Sequence, residues 1–154
     1  MLLTLLGSCA ATSLLTQESF SPEEFSETEK TALRTAGKAE KKLSVYLKVT
    51  SHRLKKLKAL SQKCSTHLAT RYLKGYQMAL NRADDLVSTV DPGKKNTRKL
   101  LDTLLKFTNK INSSLIYNLE KVPQECRPLI QSALEVSQRV SNAVEVQLLR
   151  ASNL

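Results

Sequence analysis

From Glu40 to Val90 the chain reads EKKLSVYLKVTSHRLKKLKALSQKCSTHLATRYLKGYQMALNRADDLVSTV, with no proline and a single glycine, Gly75. Proline removes a backbone donor and clashes with the preceding helical turn, and glycine weakens a helix through its backbone entropy. Their scarcity predicts helix over nearly the whole run, where an ordinary helix has about 11–12 residues. Leu43, Leu47, Leu54, Leu57, Leu60, Cys64, Leu68, Tyr72, Ala79, Ala83, Leu86 and Val90 follow one another mostly by steps of three and four. That spacing gathers them into one stripe along a helix. Tyr46, Leu57, Leu68, Ala79 and Val90 also recur at eleven residues, a period that keeps a stripe nearly straight. A helix of this length must lay its stripe against a partner, and Gly75 is the expected place for it to divide in two.

Downstream, Asp91-Pro92-Gly93 ends the run, because proline pushes its predecessor out of the helical region and glycine permits a reversal. Asn96 or Thr97 is expected to cap the next helix. That helix reaches about Glu120 and carries Leu100, Leu101, Leu104, Leu105, Thr108, Ile111, Leu115 and Leu119 on one face. Its stripe is the most apolar in the chain, which places it at the buried centre of a bundle. Val122-Pro123-Gln124 breaks the chain again, and a last helix runs from about Pro128 to Leu149 with Ile130, Ala133, Leu134, Ser137, Val140, Ala143, Val144 and Leu148 inward. Upstream, Ser21-Pro22-Glu23-Glu24 has the pattern of a capping box with proline at the first helical position. It predicts a short helix from Pro22 to Thr35, with Gly37 loosening the junction that follows.

The expected fold is all-α: an antiparallel bundle of three to four amphipathic helices joined by short loops. Residues 1–20 read as a flexible apolar tail, 21–40 as a short helix with an acidic start and a junction, 41–149 as the bundle, and 150–154 as a C-terminal tail. Met1–Leu15 is apolar but shorter than the roughly 20 residues a spanning helix needs. It also lacks the positive start of a secretory signal. The absence of Trp, with 3 Phe and 4 Tyr, leaves the core to Leu, Ala and Val. Cys9, Cys64 and Cys126 are too few and too odd in number for a disulfide framework; they read as reduced thiols, the last two on apolar faces. Asn112-Ser113-Ser114 is a glycosylation sequon, and its helical setting argues against use.

Catalytic chemistry has no foothold in this sequence. His52 and His67 have no partners at metal-ligand spacing, and no phosphate-binding glycine loop or nucleophile motif is present. The expectation is a binding protein without cofactor or metal.

Charge indicates what it binds. The formal net charge is +10. Lys30–Lys58 holds ten basic residues against one acid, Glu40, while the preceding segment holds Glu18, Glu23, Glu24, Glu27 and Glu29 and no base. Such a field attracts anionic lipid, nucleic acid or acidic protein. Nucleic acid is disfavoured, because leucines interrupt Arg53–Lys58 and no stacking aromatics line it. Leucine on one face and lysine on the other is what a helix lying in a lipid interface requires. Lys41, Lys42, Lys48, Arg53, Lys55, Lys56 and Lys58 are therefore expected to meet anionic headgroups. Leu43, Leu47, Leu54, Leu57 and Leu60 are expected to insert or pack beneath them.

Three places also resemble the C-terminal helical-bundle region of the perilipin family of lipid-droplet coat proteins. They are Tyr46-Leu47-Lys48-Val49 with the basic helix after it, Leu115–Gln124 with its Val122-Pro123-Gln124 turn, and the helix through Leu134, Val140 and Val144. The resemblance covers roughly Lys42–Glu145. The chain departs from the family in lacking a tryptophan-containing helix and in a shortened Asp91–Arg98 connection, so it reads as a short or divergent member. The resemblance implies a cytoplasmic protein whose partners are droplet or anionic membrane surfaces and other proteins. A protein-interaction bundle and a secreted, apolipoprotein-like lipid carrier are the alternatives.

Overall fold

The computed structural model describes residues 20–153, and the expected apolar tail lies almost wholly outside the described residues. Five helices follow in order: α1 Glu27–Thr35, α2 Ala39–Gln62, α3 Thr66–Ser88, α4 Lys95–Leu119 and α5 Arg127–Ser152, with a 3-10 turn at Gln124–Cys126 before the last. The all-α bundle is as expected, and α5 runs on to Ser152.

The Glu40–Val90 stretch does fold as two helices, but it divides at Lys63–Ser65 and not at Gly75. The Ser65 N–H donates to the Leu60 carbonyl and the Cys64 N–H to the Ser61 carbonyl. This pair of bonds closes a helix C-terminus around one left-handed residue. That residue is Cys64, at φ 54°, where glycine would be usual. Without a glycine the stop is invisible in sequence. The eleven-residue stripe is interrupted there, and Leu68 is exposed.

α2 and α3 form one antiparallel hairpin, and α4 and α5 form the other. The two hairpins meet chiefly where α3 lies beside α5. Tyr76 donates to the Ala133 carbonyl at 3.2 Å, Arg139 to Asn81 at 2.7 Å, and Gln147 to Ser88 at 3.1 Å. Residue numbers rise together across these pairs, so α3 and α5 run parallel. Ala79, Ala83 and Ala133 are fully buried on these two helices, and small side chains let backbones approach. α4 buries Leu100, Leu101, Leu104, Ile111 and Leu115, yet it stands at the bundle's edge and not at its centre: it packs on α5 and barely touches α2. The strongest apolar stripe thus belongs to an outer helix, and α3, richer in alanine and tyrosine, is central. The α4 start also differs from expectation. Lys94 is the N-cap and makes no side-chain cap bond, while the Thr97 hydroxyl turns back to the Asp91 carbonyl.

Cys64 and Cys126, read as free thiols, form a disulfide with Cα atoms 5.9 Å apart. Each lies in the turn of its own hairpin, and stacking the hairpins brings both turns to one end of the bundle. The hairpins are therefore covalently tied at that end.

The segment before α2 is held on the bundle chiefly by Arg53, with Arg71 and Lys74 of α3 each 3.7 Å from the Glu23 carboxylate and the Phe20 and Phe25 rings beside Tyr72 and Tyr46. Arg53 is 0% exposed and reaches out of α2 to donate to the Pro22 carbonyl at 3.1 Å, the Glu24 carbonyl at 3.2 Å and the Glu29 carboxylate at 2.8 Å. The Phe20 ring lies over its guanidinium, 4.9 Å from the centroid. Glu29 also completes a capping box with Ser26, so α1 starts at Glu27 and not at Pro22. Ser21–Glu24 instead makes a turn, with the Glu24 N–H on the Ser21 carbonyl. Gly75 is where this strap crosses α3: a Cβ there would sit 1.7 Å from the Pro22 oxygen. Its glycine serves close approach, and the helix passes through it unbroken.

His52, adjacent to this anchor, gives a pH prediction. Its Nδ1 lies 3.0 Å from Arg53 Nη1 and so acts as the acceptor of a neutral ring. Burial, then the Arg53 charge, hold its pKa below the ordinary histidine value. The unfolded chain then takes up this proton more readily than the folded one, so stability rises with pH. The His52 contribution is present above the unfolded value, about 6.5, and is lost as pH falls toward the folded one. Urea midpoints should be lower at pH 5 than at pH 7.5, and His52→Gln should reduce the difference. Asp84, raised by burial, acts in the opposite sense in both proteins, so the comparison isolates His52.

Candidate functional site

Because the hairpins meet along α3 and α5, the opposite side of the bundle leaves α2 and α4 running parallel with a groove between them. Its floor is leucine from both helices, Leu43, Leu47 and Leu54 from α2 and Leu100 from α4, joined by Phe107 and Ile111. The groove opens into two hollows of about 450 and 230 Å³ that share Ser51 and Phe107. The larger volume falls within the range of small-ligand sites, roughly 300–1,000 Å³, and the smaller just below it. At the narrower end the Lys58 ammonium donates to the Ser114 hydroxyl at 2.8 Å, bridging α2 to α4. The wider hollow lies at the end away from the disulfide.

The rim is basic. Lys48, Lys55 and Lys58 stand on the α2 side and Lys99 and Lys110 on the α4 side, against the single acid Glu40. Among the described residues none of these five ammonium groups is in a salt bridge. Like charges lining a low-dielectric cleft focus the field and concentrate anions there.

The residues expected from sequence divide sharply. Lys48, Lys55 and Lys58 converge on the groove. Lys41, Lys42 and Lys56 project elsewhere from α2 and do not line it. Arg53 is no surface contact at all: its charge is consumed inside the protein by Glu29 and two carbonyls. Leu43, Leu54 and Leu57 are buried in the core, so no part of them is free to enter a lipid layer while the bundle is closed. Leu43 and Leu54 form the groove floor, and Leu47 and Leu60 are half-buried. Lys99 and Lys110 were missed, although a signal was present: they are eleven residues apart, three helical turns, and so share one face of α4.

Two further side chains carry polar atoms at or near helix contacts. Asp84 is half-buried opposite Arg139; burial pushes its carboxyl up, opposed by the Arg139 charge. Asn112, the sequon residue, donates its Nδ2 to Ser141 across the α4–α5 contact at 3.2 Å, which occupies the atom a glycan would use. Among the described residues no helix is long and apolar enough to cross a membrane, and no group of three or more His, Cys, Asp or Glu side chains converges as a metal site would require.

No protein family, curated protein or solved structure matches the chain.

Proposed function

We propose that the protein binds anionic lipid surfaces, without catalysis, through the side of the bundle where α2 and α4 lie together. The observation that carries this reading is an apolar groove bounded on both sides by lysines that lack acidic partners among the described residues. Lysine stems can lie along an acyl boundary while their ammonium groups stay among headgroups. The contact set is therefore Lys48, Lys55, Lys58, Lys99 and Lys110, two of them on a helix that the sequence placed in the bundle but gave no contact role.

The perilipin resemblance favours a droplet coat in the cytoplasm, and the disulfide favours a different form of the same function. Structural disulfides persist in oxidising compartments and are rare in the cytosol. Cys64–Cys126 therefore supports the carrier form, a bundle acting on lipid outside the cytosol. Bundle opening also takes a definite direction in this reading. Since the hairpins are tied at the Cys64–Cys126 end, only the far end, beside the wider hollow, can separate.

Flotation with anionic vesicles tests the proposal. A lysine near an anionic surface contributes about 1 kcal/mol, so changing Lys55, Lys99 and Lys110 to Gln should weaken binding by about a hundredfold. The same change at Lys41, Lys42 and Lys56, off the groove, should matter much less. Equal effects from the two sets, or undiminished flotation of the first, would sink the assignment of this face.

A further inference from the structure

The groove has a polarity along its length that a flat lipid-binding face does not need. At the wide end, the hollow between Leu43, Leu47, Leu100 and Phe107 has Glu40 at its mouth beside Lys48 and Lys99. At the narrow end, Lys55, Lys58 and Lys110 surround the hollow with no acid among them, and Ser51 and Ser114 add hydroxyls. From Leu43 to Lys58 the groove follows α2 for about 22 Å at 1.5 Å per residue. It is thus a single elongated channel, apolar at its base, with its excess positive charge at one end. Two hollows joined end to end suit one extended acyl chain rather than two side by side. An amphipathic helix would need anchors at each turn of a broad trough and a counter-charge along its whole flank.

We propose that this groove is a binding site for a long-chain fatty-acid carboxylate. The acyl chain lies on Leu43, Leu47, Leu100 and Phe107, and the carboxylate sits between Lys55, Lys58 and Lys110. Charge decides the orientation. Three ammonium groups at the narrow end form charge-assisted bonds to a carboxylate, whereas Glu40 repels it at the other end. The ammonium of Lys58, already placed by its bond to Ser114, is the one held in position before the ligand arrives. Burial of the chain supplies most of the affinity, and the lysines select an acid over an uncharged lipid. The inference rests on the lipid-binding reading of this face, but it fails separately from it.

The test is titration calorimetry of the full-length protein with oleate below its aggregation concentration. Oleyl alcohol is the uncharged control and vesicle flotation is run in parallel. Oleate should bind saturably, and oleyl alcohol about tenfold more weakly. Ser51→Trp places an indole at the point both hollows share, from an exposed position on α2, and should abolish oleate binding. Thr103→Trp fills the wider hollow from an exposed position on α4 and replaces it if circular dichroism shows the first variant unfolded. Oleate binding that survives a folded tryptophan variant would overturn the proposal, as would equal affinity for oleate and oleyl alcohol. If vesicles bind and oleate does not, the groove assignment falls and the surface reading stands. If oleate binds and vesicles do not, the reverse holds. Saturable binding of an acidic amphipathic peptide without oleate binding would assign the groove to a protein helix and end the fatty-acid proposal.

Discussion

Replacing Cys64 and Cys126 together by serine should lower the unfolding free energy by about 4 kcal/mol. The two cysteines are 62 residues apart in sequence, and a cross-link closing a loop of that length removes a large share of the unfolded chain's freedom. For a domain of this size each kcal/mol moves the thermal midpoint by about 2–4 °C, so the variant should melt about 8–16 °C lower. The same loss should follow from reducing the native protein. It should be absent when the serine variant is treated with reductant, which separates the bond from other effects of the reagent. Thiol titration of the denatured, unreduced protein is the direct check: it should find no more than one reactive thiol among the 3 cysteines. Three reactive thiols would remove both the stability prediction and the argument for an oxidising compartment.

The disulfide also marks where sequence reading reached its limit. Helix content and the number of long helices were legible because they rest on periodicity and on proline and glycine, which act locally. The stops at Asp91-Pro92-Gly93 and Val122-Pro123-Gln124 carried their own chemistry and were placed well. The stop at Cys64 was not, because a cysteine occupies the left-handed position and gives no glycine signal. Its pairing with Cys126 depends on how two hairpins stack, which no local pattern encodes. Gly75 misled for the complementary reason. A glycine within a helical pattern reads as a break when judged along its own helix, but this one is needed by a strap arriving from about fifty residues earlier in the chain, at Pro22.

The candidate site was half legible on the same grounds. Basic residues on α2 stand out as a charge run, and three of them do reach the groove. Arg53 belongs to the same run in sequence and to the protein interior in space. Charge counting cannot separate the two, since what distinguishes Arg53 is the set of acceptors waiting for it in Pro22, Glu24 and Glu29. Lys99 and Lys110 belong to a helix whose apolar stripe drew the reading toward burial, so its basic edge went unused. A groove is a property of two helices, and only the α4 side shows that the lysines of α2 have counterparts.

Arg53→Leu should cost about 3–5 kcal/mol, the range for breaking a buried ion pair by removing one partner. The leucine fills part of the space but leaves the Glu29 carboxylate with only its bond to Ser26, and the Pro22 and Glu24 carbonyls without a donor. Those groups all belong to the strap and the start of α1, so the strap is what should detach. Limited proteolysis should then cut between Phe20 and Ala36 while α2–α5 keeps its helical signal and its cooperative melt. Gly75→Ala attacks the same contact from the other side. Alanine is the better helix former by about 1 kcal/mol, yet its methyl group would occupy the place of the Pro22 oxygen, so the net effect should be destabilising by about 1–3 kcal/mol. If both substitutions act by releasing one strap, their effects cannot add, because a segment already detached has no contact left to lose. The double variant should be no less stable than Arg53→Leu alone, within the few tenths of a kcal/mol expected of independent error. Fully additive losses would show that Arg53 and Gly75 stabilise the bundle separately, and the strap would then be a passenger on α2 and α3.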